Sequence, residues 1–259
     1  MGRAPYRDAW ALQHRLVASR AAGEIPDQLL LLEHDAVLTL GRSADAAHVR
    51  VLPALLEERG IELLRVERGG EVTYHGPGQL VAYPIVRLAE RGILIRPYVR
   101  ALEAAMAETA AAYGVTAARR EGLPGLWVEA DGPLPRKLGA VGVRVERGVT
   151  YHGIALNVTT DLRDFGLIDP CGLPDIGVTS IAKEADWLAE RRAPSTDSVA
   201  EAAEIFASAL ARLLEADLAW VGEPRGRAVT WSARDGRGAK PGPRRSGRPG
   251  KRPALVESA

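Results

Sequence analysis

Two neighbouring stretches, residues 138–145 and 151–158, constrain the fold of this chain more than any other feature of its sequence. Each has strand length and is rich in valine, isoleucine and leucine. Arg147-Gly148 stands between them, so the pair reads as a β-hairpin. A hairpin commits the chain to antiparallel pairing, and an isolated one is marginal in water, so further strands must join it. Residues 29–33 and 36–40 are short apolar runs around His34-Asp35, ending at Gly41-Arg42-Ser43. Residues 62–68 alternate polar and apolar, and residues 80–86 and 126–129 are again strand-like. Between these runs, residues 8–22 carry Trp10, Leu12, Leu16 and Val17 at helical spacing, and residues 53–59 read as a short helix stopped by Gly60. A longer helix starts at Pro97 and keeps Tyr98, Leu102, Ala105, Met106, Thr109 and Tyr113 on one face before Gly114. A last one starts at Ser198, with Glu201 at capping-box spacing, and runs through Phe206, Leu210 and Leu213 to about Ala216. The expected class is α+β: a single domain with a mixed sheet flanked by helices and few βαβ repeats.

The 259 residues, 46% of them apolar, can bury a full core. No run of about 18 apolar residues occurs, so no membrane-spanning helix is expected. The N-terminal stretch is interrupted by Arg7, Asp8, Gln13, His14 and Arg15 and does not read as a signal peptide. With a single cysteine, this places the protein in a reducing cytoplasm as an expectation. From Arg225 onward ten Lys/Arg face two Asp/Glu in a Gly/Pro/Arg-rich stretch, while residues 1–224 carry a surplus of acid. Such a composition cannot offset its ordering entropy. The expected organisation is therefore a catalytic domain over residues 1–222 and a disordered basic tail over 223–259. An anionic partner could touch that tail, but no specific nucleic acid is indicated.

Cys171 is the sole cysteine, set in Asp169-Pro170-Cys171-Gly172-Leu173. It has no partner for an internal disulfide. A free cysteine is often an inert core residue, but flanking Pro and Gly point to a turn, where a substrate can reach the thiol. Lysines are scarce, with Lys137, Lys183, Lys240 and Lys251 the whole set. Lys137 stands in Pro135-Arg136-Lys137-Leu138-Gly139, where an arginine-rich chain has used the one cation that can exchange a proton when desolvated. It could equally be a surface residue beside Arg136. Thr-Tyr-His-Gly occurs twice, at residues 73–76 and 150–153, which suggests two segments presenting similar groups to one pocket. Each histidine could instead be a satisfied polar residue. Three chemistries compete on these residues: a zinc site from Cys171, His75 and His152, a Cys–His hydrolase, and acyl transfer through a Cys171 thioester with Lys137 handling protons.

The stretches RGGEVTYHGPGQLVAYPI, RKLGAVGVRVERGVTYHGIALNV and DPCGLPDIGVTSI resemble the signature segments of the octanoyl-carrier-protein:protein octanoyltransferases, the lipoate-protein ligase B family. LLEHDAVLTLGRS is similar to that family's N-terminal motif. The resemblance spans about residues 29–181. It implies the α+β core shared with biotin and lipoate ligases, and an acyltransferase needing no metal or other cofactor. Cys171 would take the octanoyl group from octanoyl-acyl carrier protein as a thioester. A lysine of a lipoyl domain, in 2-oxoacid dehydrogenase complexes or the glycine cleavage H protein, would then receive it as an amide, the first step of endogenous protein lipoylation. Lys137 would pair with Cys171. Arg68, Gly69, Gly70, Glu71, Val72, Thr73, Tyr74 and His75, with Ala140, Val141, Gly142, Gly153, Ile154 and Ala155, would line the acyl pocket. An ammonium beside the thiol favours thiolate, backbone N–H groups near the glycines or Cys171 would stabilise the oxyanion, and the small residues leave room for an eight-carbon chain. Arg42, Arg68 and Arg144 are candidates for docking an acidic carrier. The alternative within the same fold is an ATP-dependent lipoate or biotin ligase, which needs no cysteine nucleophile.

Overall fold

A computed structural model describes residues 2–170, 176–185, 198–221 and 228–233. Strand β1 (Arg3–Ala4) precedes helix α1 (Tyr6–Ala22), which ends where Gly23 takes φ 79° and its N–H closes onto the Arg20 carbonyl. Strands β2 (Asp27–His34) and β3 (Val37–Leu40) follow, then the short helix α2 (Pro53–Glu58), then β4 (Glu62–Arg65), β5 (Val72–His75) and β6 (Gln79–Ile85). Helix α3 (Ile95–Ala112) leads to β7 (Ala118–Arg120), β8 (Leu123–Val128) and the long pair β9 (Arg136–Glu146) and β10 (Val149–Asn157). Beyond these come β11 (Gly177–Val178), α4 (Ile181–Glu184), α5 (Ser198–Leu213), β12 (Ala216–Val221) and β13 (Ala228–Ala233).

The β9–β10 hairpin is the centre of the large sheet. Arg147 and Gly148 both take positive φ, 51° and 78°, the signature of a type I′ turn whose twist matches the strands it joins. The sheet runs β12-β13-β2-β6-β10-β9-β8-β7, antiparallel along that path, with β1 beside β2 and β11 beside β9 in parallel. A separate small sheet, β4-β3-β5, holds the glycine-rich loop that follows β4.

Helices cover the large sheet on both faces, which is why β2 reads as an unbroken apolar run. Leu29 and Leu31 pack with Tyr98, Leu102 and Met106 of α3 and Phe206 and Leu210 of α5. Leu30 and Leu32 point the other way, toward Ala9 of α1 with Val81 and Tyr83. Strand alternation splits one run between two cores. The α+β single-domain expectation holds.

Three details differ from the sequence reading. Helix α3 starts at Ile95, with Pro97 inside its first turn. Val72–His75, not among the strands expected from the sequence, is a strand paired with β3. Ala228–Ala233 falls inside the stretch expected to be a disordered tail, yet forms β13 between β2 and β12. Ala-Val-Thr-Trp at 228–231 has strand propensity that averaging over the basic segment conceals, and its pairing gives the backbone of Asp27–Leu30 a partner. Residues 223–227 and 234–259 of that expected tail lie outside the described residues.

Candidate active site

Lys137 owes its orientation to an irregularity in the sheet. Leu126 lies opposite Gly139 and Trp127 opposite Lys137, so Leu138 is the extra residue of a β-bulge. Leu138 is buried in the main core with Leu126 and Val128, and a Cβ on Gly139 would meet the Met106 sulfur on that same side. Two successive residues thus face α3. Lys137 is turned to the opposite face, beside Trp127. Its Nζ donates to the Pro124 carbonyl at 3.2 Å and lies 4.9 Å from the centroid of the Trp127 ring, a cation–π distance. The side chain is only 8% exposed.

Beyond the bulge the face that carries Lys137 continues with Ala140 and Gly142, directly opposite Ala155 and Gly153 of β10. Four small residues at facing positions leave a slot, a cavity of about 80 Å³. Its other wall is Arg68, Gly70, Glu71, Val72, Thr73 and His75, with Val141 and Ile154 along the hairpin also at its margin. Lys137, Pro170 and Val178 line it too, as do Tyr83 and His152, which the strand register places toward the end of the hairpin away from Lys137. Gly153 has no substitute here. A Cβ would stand 2.1 Å from the Ala82 carbonyl oxygen, because His152 before it takes φ 52° and swings the backbone against β6. Two of the expected lining residues lie elsewhere. Tyr74 alternates to the far side of β5, edge-on to Phe165 at 5.4 Å, and Gly69 lines an adjoining groove.

Polar groups in the slot wall are tied into one network whose directions can be derived. Gln79 Nε2 donates to the Tyr74 carbonyl at 3.1 Å and to Asn157 Oδ1 at 2.9 Å, and Asn157 Nδ2 donates to the Thr179 carbonyl at 2.9 Å. Those carbonyls only accept, so Gln79 Oε1 must accept from His75 Nδ1 at 2.7 Å. His75 therefore carries its proton on Nδ1, and Nε2 faces the Thr39 hydroxyl at 3.5 Å. Thr39 Oγ1 in turn accepts from Arg68 Nε at 3.0 Å, and the Thr39 carbonyl accepts from Arg68 Nη2 at 2.6 Å. Burial, then the neighbouring His34 and Arg68, push the His75 pKa well below its ordinary value. His75 is a neutral, fixed group. Arg68 is itself buried, so it does not reach the surface where a carrier would dock.

His34 sits behind this wall, donating from Nδ1 to the Ala4 carbonyl at 3.0 Å and accepting from the Tyr83 hydroxyl at 2.8 Å, its pKa lowered to about 4 chiefly by burial. His152 is also held neutral by burial. Its backbone N–H donates to Gln13 Oε1 at 2.7 Å, while both ring nitrogens are buried without a hydrogen bond. Its Nε2 faces the Glu67 carboxylate at 3.7 Å. A left-handed, β-carbon-bearing residue costs on the order of 1–3 kcal/mol in backbone strain, the kind of cost found at functional positions.

Cys171 lies outside the described residues. The chain on either side of it is anchored. The Asp169 N–H donates to the His48 carbonyl at 2.8 Å, and Val178 pairs with Lys137, whose carbonyl accepts from the Thr179 N–H at 3.0 Å. Pro170 and Val178, one before the cysteine and one after, both line the cavity that Lys137 lines.

The sequence of this slot and its walls is matched by the family model for the lipoyl protein ligase A/B catalytic domain, over residues 5–209. An octanoyltransferase of Chloroflexus aggregans is 48% identical over 185 residues, covering 71% of this chain and 82% of the relative. The chain belongs to the octanoyltransferase family. It is an enzyme of the acyltransferase class. A second octanoyltransferase, from Chloroflexus aurantiacus, is 44% identical over 208 residues, 80% of this chain and 92% of its own length. Among solved structures, lipoate-protein ligase A bound with ATP superposes with TM-score 0.56 at 18% identity, covering 82% of this chain and 83% of that one. The bipartite lipoate protein ligase of Thermoplasma acidophilum gives TM-score 0.53 at 18% identity over 82% and 81%. These two likenesses establish the shared fold.

Several cavity residues of this octanoyltransferase-family enzyme were not among the expected lining residues, although Gln79, Tyr83 and Asn157 lie within the signature-like stretches. Tyr6 comes from α1, Tyr83 and Gln79 from β6, and Asn157 from the end of β10. Trp127 was legible only as part of a strand. The paired TYHG segments do converge, since His75 and His152 both line the slot. Their roles differ, one hydrogen-bonded and one not.

Proposed function

We propose that this enzyme moves an octanoyl group from a carrier-protein thioester to the lysine of a lipoyl domain, with Cys171 as the intermediate acyl carrier and Lys137 as its proton partner. The observation that carries the reading is the bulge at Leu138. It turns a buried lysine onto the face of a slot lined by small residues, and the residues bracketing Cys171 border the same cavity. At pH 7 only a few per cent of an ordinary thiol is thiolate, and an adjacent ammonium favours the thiolate. The Cys171 thiolate attacks the acyl carbonyl, the carrier's sulfur leaves, and Lys137 gives it a proton. Neutral Lys137 then takes a proton from the acceptor's amine as that amine attacks the acyl-enzyme. Thiolate and ammonium are restored, and no adenylate is needed. The slot formed by Ala140, Gly142, Gly153 and Ala155 holds the chain at about 0.8 kcal/mol per methylene.

Transfer to an apo-lipoyl domain separates this route from the adenylate route of ligases. Octanoyl carrier protein without ATP should support turnover, and octanoic acid with ATP and magnesium should not. Turnover from the free acid with ATP alone would replace this proposal with a ligase.

A further inference from the structure

Beside the slot runs a second, wider cavity, a groove of about 600 Å³ that shares Gly70, Glu71, Lys137, Val141 and Gly142 with it. Resting on the function proposed above, we propose that this groove holds the phosphopantetheine arm of the acyl donor along the outer edge of β9, with Arg42 and Arg144 taking the arm's phosphate. Four observations lead there. Lys137 borders both spaces, so a molecule lying in both passes beside that amine. An acyl thioester is such a molecule, with the fatty chain on one side and the arm on the other.

The second observation is the strand edge. On the side away from β10, β8 pairs with β9 only as far as Gly139, and among the described residues no strand pairs with Ala140–Val145. Gly69 approaches there, the position of its Cβ being 3.2 Å from the Val143 carbonyl, and the Arg68 side chain lies beside Gly142. Unpaired strand edges bind extended amide-bearing ligands through main-chain hydrogen bonds, and the arm carries two amides in an extended linker. The third is the lining. Ile95, Val99, Leu123 and Val145 border the groove, with Ile95 43% and Val145 40% exposed, apolar contact for the arm's methylene and dimethyl segments.

The fourth is charge at the far end. Lys137 and Arg144 are seven residues apart along β9, roughly 23 Å at strand rise, a distance that demands a long arm between reacting thioester and phosphate. Arg144 stands opposite Tyr151 and its guanidinium interacts with that hydroxyl, but its Nε is buried without a hydrogen-bond partner, and Arg42 also lines the groove. The carboxylate in the lining, Glu71, accepts from His48 Nδ1 at 3.0 Å and from the Asp45 N–H at 3.2 Å, so it is occupied on the side away from the slot. Guanidinium groups recognise phosphate well.

Coenzyme A and carrier protein share this arm, and four octanoyl donors separate the possibilities: carrier protein, coenzyme A, pantetheine without phosphate, and N-acetylcysteamine, which truncates the arm. The readout is kcat/KM for transfer to an apo-lipoyl domain with wild type, Arg42→Gln, Arg144→Gln and the double variant, each checked by thermal melt. Pantetheine is expected to outperform N-acetylcysteamine on wild type. Each substitution should lower kcat/KM for both phosphate-bearing donors by roughly tenfold, the loss of one charge-assisted hydrogen bond, and change the pantetheine donor less than twofold. Three results overturn the assignment: equal loss with all four donors, no loss with any, or a loss confined to carrier protein, which would put the arginines against the carrier's surface instead. If wild type transfers from none of these donors, the proposed function itself fails, and the groove assignment with it.

Discussion

Replacing Ala140 by leucine should convert an eight-carbon slot into one for shorter chains. Ala140 stands opposite Ala155 on the slot face, and its side chain is half-buried with the cavity in front of it. Leucine adds three carbons that occupy space otherwise filled by substrate. Excluding about three methylenes at about 0.8 kcal/mol each forfeits about 2.4 kcal/mol of binding, or roughly 50-fold in kcat/KM. A butyryl chain reaches only about as far as Ala140, has at most about one methylene to exclude, and should lose no more than about fourfold. The assay is transfer from octanoyl- and butyryl-pantetheine to an apo-lipoyl domain, read as the ratio of the two kcat/KM values. The ratio should fall by more than tenfold. An equal loss for both donors would mean that leucine disturbs the reacting groups rather than the slot. An unchanged ratio would mean that the chain lies elsewhere.

Three other perturbations test separate parts of the structure. Lys137→Arg keeps the charge over Trp127 but cannot release a proton, so turnover should fall by at least about 100-fold while the thermal melt moves little; near-normal turnover would make Lys137 structural. Asp27 accepts from Arg20 Nε at 2.7 Å and from Arg91 Nε at 2.6 Å, all three groups being buried, so Asp27→Ala leaves two buried guanidinium groups without their shared partner. About 3–5 kcal/mol should be lost, seen as a Tm drop of roughly 10 °C. His34 has its pKa lowered to about 4 in the folded protein against about 6.5 unfolded. The unfolded chain therefore binds more protons between these values, and stability should fall by up to roughly 3 kcal/mol as pH drops from 6.5 to 4. Melts across that window should show the slope, and it should be shallower in His34→Gln; a pH-independent Tm would contradict the burial argument.

The parts of this fold that were legible in the sequence are those set by local rules. The Arg147-Gly148 turn declared the central hairpin because few residue pairs accept two positive φ values in succession. Helices α1, α3 and α5 followed from spacing. What the sequence concealed depends on partners distant along the chain. Val72–His75 became a strand because β3 offers it an edge, and Ala228–Ala233 because β2 does. The bulge that redirects Lys137 is invisible in Arg136-Lys137-Leu138-Gly139, where regular alternation would have sent the lysine into the α3 core. Likewise the site's special residue types were readable, but the amides that fix His75, Gln79 and Asn157, belong to ordinary-looking strand positions and gain their role only when β5, β6 and β10 come together.

The account stands most directly on whether the acyl group rests on Cys171 between donor and acceptor. Wild-type protein incubated with octanoyl carrier protein, freed of donor and weighed intact should carry one octanoyl group, absent in Cys171→Ala. Adding an apo-lipoyl domain should then empty the enzyme as the acceptor gains the same mass. An acceptor that gains octanoyl while the enzyme's mass never changes, with Cys171→Ala retaining activity, would contradict it.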